Sequence, residues 1–103
     1  MSQASAASTA GTQPRATERG LALLRVVADH AAQHADGIAL ADAARAVDLS
    51  ASTALRQLRS LETAGFTSRN ADGRYMPGPE LLRIARNLAA TATLPRLAGA
   101  ALL

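Results

Sequence analysis

Two groups of side chains have the type and spacing to do chemistry. The first lies in the stretch DLSASTALRQLRSLETAG, Asp48 to Gly65. At helical period Ala51, Ala54, Leu58 and Leu61 share one narrow arc, while Ser52, Thr53, Arg56, Arg59, Ser60 and Thr63 cover the opposite side. That face offers hydroxyls and guanidinium groups and no carboxylate, because Glu62 lies on the flank of the apolar stripe. An arginine can give two parallel hydrogen bonds to guanine O6 and N7 or pair with a phosphate, and serine and threonine hydroxyls donate to phosphate oxygens. Such a face suits an anionic partner, although water alone also satisfies an arginine-bearing helix. The flanking elements have to decide between the two.

The second group is His30 and His34, spaced i, i+4 as in helical zinc sites. The chain has no Cys, local spacing points to no third ligand, and histidine near a helix C-terminus is favoured by the macrodipole. No metal is therefore expected. The scattered acids lack the paired spacing of acid-base catalysis and there is no glycine-rich phosphate loop, so neither an enzyme nor a cofactor is expected.

A chain of 103 residues with 49% hydrophobic side chains can bury one modest core in one domain. Aromatics make up 2%, which leaves Leu, Ile, Val and Ala to build that core and removes the stacking platforms used on unpaired bases. The formal net charge is +3, carried entirely by arginine and unevenly placed. Residues 1–55 hold four Arg and five acids, and residues 56–103 hold seven Arg and three acids. The basic half favours a polyanion. Without Cys there is no disulfide framework, and without a long apolar run or a leader-like N-terminus the expectation is a cytoplasmic protein with no membrane partner.

In chain order, residues 1–16 are small and polar and read as a disordered tail. Thr17 is the expected cap of a first helix to about Ala35, with Leu21, Leu24, Val27, Ala28 and Ala31 facing the core. Leu23 and Val26 fall off that stripe, where a second helix or a dimer partner would cover them. Asp36-Gly37 is a turn, Ile38 a very short strand, and Leu40 to Val47 a second helix too short to stand alone. Asp48 tolerates a left-handed turn, Leu49 plugs the angle between helices, Ser50 caps the long helix and Gly65 ends it. Phe66–Ser68 and Arg74–Met76 read as a hairpin around Asn70 and Asp72-Gly73, with Arg69 and Arg74 flanking its loop. Pro79 starts a fourth helix whose apolar face is Leu81, Ile84, Ala85 and Leu88. A further apolar helix begins near Thr93 and the chain stops in mid-pattern, as a fragment or the start of another domain would.

A short helix, a tight turn, a longer polar-faced helix and a two-stranded wing make a mainly α, winged helix-turn-helix arrangement: a three-helix core, a β wing and a linker helix. The segments ERGLALLRVVA, LADAARAVDLSASTALRQLRSLETAGF and GRYMPGPELLRIAR, in this order and spacing, resemble the DNA-binding domain of the IclR family of bacterial transcriptional regulators. The resemblance covers about Thr17 to Leu102. It implies that the long helix enters the major groove of double-stranded DNA, that dimers read paired half-sites, and that a C-terminal domain, absent here, binds a small-molecule effector. By position Ser52, Thr53 and Arg56 match the family's recognition helix and Gly78 a glycine after the wing, with residues 17–92 as the DNA-binding domain and 93–103 as the start of a linker helix. Asp48 stands in place of a common turn glycine, Ala51 of a basic residue, Leu55 of His or Tyr, Pro77 of an apolar wing residue, and Ala39 of a Ser or Thr cap.

Arg56 is the expected base reader, with Ser52, Thr53, Arg59 and Ser60 on phosphates or neighbouring bases and Arg69 and Arg74 on the backbone from the wing. The competing reading is a winged helix used only for protein contact or dimerisation.

Overall fold

The computed structural model describes residues 13–91. Its elements are α1 (Gln13–Gln33), α2 (Leu40–Ala46), α3 (Ala51–Thr63), β1 (Thr67–Arg69), β2 (Tyr75–Pro77) and α4 (Pro79–Ala89). This is the expected winged helix-turn-helix. The helix expected from Thr93 lies outside the described residues, as do residues 1–12 of the expected tail.

Three helices and the wing close on one small core: Leu23 and Val27 from α1, Ala43 and Ala44 from α2, Ala54 and Leu58 from α3, with Ile38 and Tyr75. The alanines at the α2–α3 contact leave no bulk between the backbones. That closeness is what holds α2, whose 7 residues are below the length of about 12 at which a helix persists alone in water.

The first helix differs from expectation in start and facing. It begins at Gln13, so Thr17 is an interior residue and Gln13 to Ala16 are helical. Its buried line is Gly20, Leu23 and Val27, with Val26 packed at the edge, whereas Leu21, expected inside, is 54% exposed. Leu23 is fully buried in the chain's own core and is not available to a dimer partner. A reading weighted by apolarity passes over Gly20, which lies on this buried line; a Cβ there would meet only the mobile end of the Gln57 side chain, Oε1 at 3.2 Å.

The turn between α2 and α3 is a Schellman closure. Asp48 takes the left-handed conformation, φ 58, while its N–H donates to Arg45 O at 3.2 Å and that of Leu49 to Ala44 O at 2.9 Å. Leu49 packs against the core edge as expected. Ser50 then caps α3, its Oγ accepting from Thr53 N at 3.2 Å. Ala39, at the start of α2, gives no side-chain cap. Within α3 the apolar stripe is Ala54, Leu58 and Leu61, and Ala51 is exposed instead of inside.

The end of α3 repeats the closure. Gly65, φ +87, donates to Glu62 O at 3.0 Å and Phe66 N to Leu61 O at 2.8 Å. Because Phe66 is used in this cap, the wing starts one residue later than expected, with Thr67 paired to Pro77, Ser68 to Met76 and Arg69 to Tyr75. Ile38 adds the expected short strand on the other side of β2, bonding Tyr75 through N–H to O contacts of 3.0 and 2.8 Å. Asn70 shapes the loop by accepting from the N–H groups of Asp72 and Arg74, both at 3.0 Å.

The wing returns to α3 through Gly78. Gly78 N donates to Phe66 O at 2.9 Å and Glu80 N to Gly65 O at 2.8 Å. A Cβ on Gly78 would come within 2.8 Å of Thr67 N and O and closer still to Gly65 O. α4 starts there with Pro79 at its first turn, and Arg83 holds the Glu80 carboxyl below the usual carboxylate range through a contact of 2.7 Å. No residue of α4 is fully buried; Leu82 and Leu88 are 48% and 47% exposed.

Substitutions at three backbone positions test these geometries. Gly78→Ala must push main chain aside and should cost about 3 kcal/mol in urea unfolding, the upper end of overpacking penalties. At Gly73, where φ is +78 and nothing lies near a Cβ, alanine should cost only the left-handed penalty of about 1 kcal/mol. Asp48→Gly should stabilise by roughly 0.5 kcal/mol, and Asp48→Val destabilise by about 1–2 kcal/mol, in the same measurement.

Candidate nucleic-acid interface

Ser50 organises the first turn of α3. Besides accepting from Thr53 N, its hydroxyl donates to Thr53 Oγ1 at 3.0 Å and lies 3.4 Å from Ser52 Oγ. Accepting from Ser50 leaves the Thr53 proton free for another acceptor, so the cap orients a hydroxyl instead of consuming it. The first turn of α3 holds no acid, and the positive end of its dipole is left uncompensated.

Ser52, Leu55, Arg56, Arg59, Ser60 and Thr63 line a shallow groove open to solvent along the outer face. Arg56, Arg59, Ser52 and Ser60 are exposed. Neither Arg56 nor Arg59 has a carboxylate within 4.0 Å among the described residues, whereas Arg45, Arg69, Arg74 and Arg83 each do. Thus five residues named from the sequence, Ser52, Thr53, Arg56, Arg59 and Ser60, sit together on α3.

The wing arginines are placed differently. Arg69 Nε lies 3.4 Å from Glu62 Oε1 and its guanidinium carbon 5.8 Å from the centre of the Tyr75 ring. Arg74 turns to the other side, 3.9 Å from Asp36 Oδ2 and 3.5 Å from Gly37 O. Each therefore has an internal partner, and Arg69 neutralises the acid that flanks the groove. The loop between them carries Asp72 at its exposed tip.

Sequence reasoning left Thr63 and Leu55 out of the site. Thr63 was legible, one turn beyond Arg59 on the polar face. Leu55 was left out because, standing where the resemblance puts His or Tyr, it brings no hydrogen-bonding group to a base; it lines the groove and is only half-buried.

His30 and His34 stack with ring centres 4.6 Å apart, and His30 Nε2 donates to Gly37 O at 3.1 Å. They brace the turn after α1, and no group of three metal-ligating side chains exists among the described residues. No helix among them is long and apolar enough to cross a membrane.

The groove sits on the second helix of a helix-turn-helix, beside a wing. The family model for the IclR helix-turn-helix domain matches residues 16–71, from α1 through the start of the wing loop. The crystal structure of Pseudomonas aeruginosa HmgR is similar, with a TM-score of 0.63 and 26% identity over 79% of this chain and 32% of that one. Most of the HmgR chain therefore has no counterpart here. No curated protein matches the sequence. With the match spanning more than half of its length and the fold agreeing, the chain belongs to the IclR family and carries the winged helix-turn-helix domain of a DNA-binding transcription regulator.

Proposed function

We propose that this chain binds double-stranded DNA sequence-specifically, with α3 in the major groove and the wing along the backbone. The observation that carries the proposal is the pair of unpaired arginines, Arg56 and Arg59, on the acid-free outer face of α3. Arg56 lies opposite the core stripe, exposed along the groove, and is assigned to a base edge. Ser52, Thr53, Arg59 and Ser60 are assigned to phosphates and neighbouring bases. Arg69 and Arg74 remain roughly half exposed despite their partners and approach the backbone with less free charge than Arg59. The working compartment is the cytoplasm, and any small-molecule effector binds a C-terminal domain.

Dimerisation is part of this proposal, because paired half-sites require two copies. Leu82 and Leu88 of α4 and Leu21 of α1 supply exposed apolar surface for it. The same surface favours the second reading, a winged helix that serves association alone.

Salt separates the two. Duplex affinity should fall steeply as salt rises, and Arg59→Ala should flatten the log–log slope by about 0.9 for one lost phosphate contact. Arg69→Gln and Arg74→Gln should each change it less. Arg56→Ala should cost about 1–3 kcal/mol and relax one position in a selection from random duplexes. Absence of duplex binding at low salt, together with a salt-resistant dimer in sedimentation, replaces the DNA reading by the association module. Leu82→Glu with Leu88→Glu should shift sedimentation toward monomer; an unmoved dimer excludes the exposed α4 leucines as its seam.

A further inference from the structure

We infer that Leu55 is a specificity residue that packs on the 5-methyl group of a thymine in the half-site where Arg56 reads a base. This extends the duplex-binding proposal above and depends on it. Leu55 lines the same open groove as Ser52, Arg56 and Arg59. It is only half-buried and is not among the partly buried residues packed against the core, which are Val26, Leu40, Val47, Leu49 and Leu61. Part of the isobutyl group therefore faces the space that the arginines face.

A helical side chain leans over the turn N-terminal to its own Cα. For Leu55 that turn holds Ala51 and Ser52, both exposed and both too short to screen it. The major-groove edge of a base pair offers one apolar group, the thymine methyl. Set against the amino group of adenine or cytosine, or against the acceptors of guanine, an isobutyl group would strip water from a polar atom and give no hydrogen bond back. Adjacent residues of a helix point about 100° apart, so Leu55 and Arg56 reach different bases of the one half-site that the helix spans.

The test is a selection of bound duplexes with the 103-residue chain, followed by replacement of the selected thymine by deoxyuridine, which removes the methyl and keeps the pairing. Wild-type affinity should drop about fourfold, the value of one buried methyl group. Leu55→Ala, with its helical circular dichroism checked against wild type, should bind the two duplexes equally. Absence of a selected thymine from the half-site overturns the assignment, as does a deoxyuridine effect that persists in Leu55→Ala. Failure of the folded wild type to bind any duplex at low salt instead removes the DNA-binding proposal itself.

Discussion

The domain depends on a place where main chain meets main chain with no side chain between. Gly78 lies against Gly65 and Thr67, and the hydrogen bonds from Gly78 to Phe66 and from Glu80 to Gly65 tie three elements together. The carbonyls involved sit at the end of α3 and its cap, which would otherwise need water or side-chain donors. Binding them to the returning wing sets the angle between α3 and the hairpin through backbone geometry. The wing consequently inherits its position from the last turn of the helix it accompanies.

The two helix ends in the helix-turn-helix are solved alike, by Schellman closures at Asp48 and Gly65. Only the second uses glycine. Asp48 carries a left-handed strain that its short polar side chain lessens without removing. The closure nonetheless lets Ser50 follow within two residues, and the α2–α3 contact, built on Ala43, Ala44 and Ala54, has no slack for a longer turn.

Charge is divided along the same architecture. Acids around the wing are answered internally, Glu62 of α3 by Arg69 and Asp36 of the turn after α1 by Arg74, and Glu80 is answered by Arg83 at the start of α4. Exposed pairs of this kind add little stability. Their effect here lies in the field they leave behind: the groove keeps Arg56 and Arg59 as uncompensated cations beside a helix N-terminus without an acid in its first turn. Apolar surface is divided just as unequally, since α4 contributes no fully buried residue and shows Leu82 and Leu88 to solvent.

The sequence by itself determined the order of elements, the residues at both helix closures, the Ser50 cap and the polar face of α3, because each depends on neighbours within about one helical turn. Glycine, aspartate and serine act through their own backbone and so remain legible without the rest of the molecule. Only the tertiary structure decided the facing of α1, where Gly20 and Leu23 are buried and Leu21 is not, because that choice depends on which side of α1 the other elements pack. It also decided that Arg69 and Arg74 have partners, since Glu62, across the end of α3, and Asp36, far back in the sequence, meet them only once the wing closes. The partial exposure of Leu55 belongs there too: its place on the long helix was legible, but how much of its side chain is covered depends on where the neighbouring elements end.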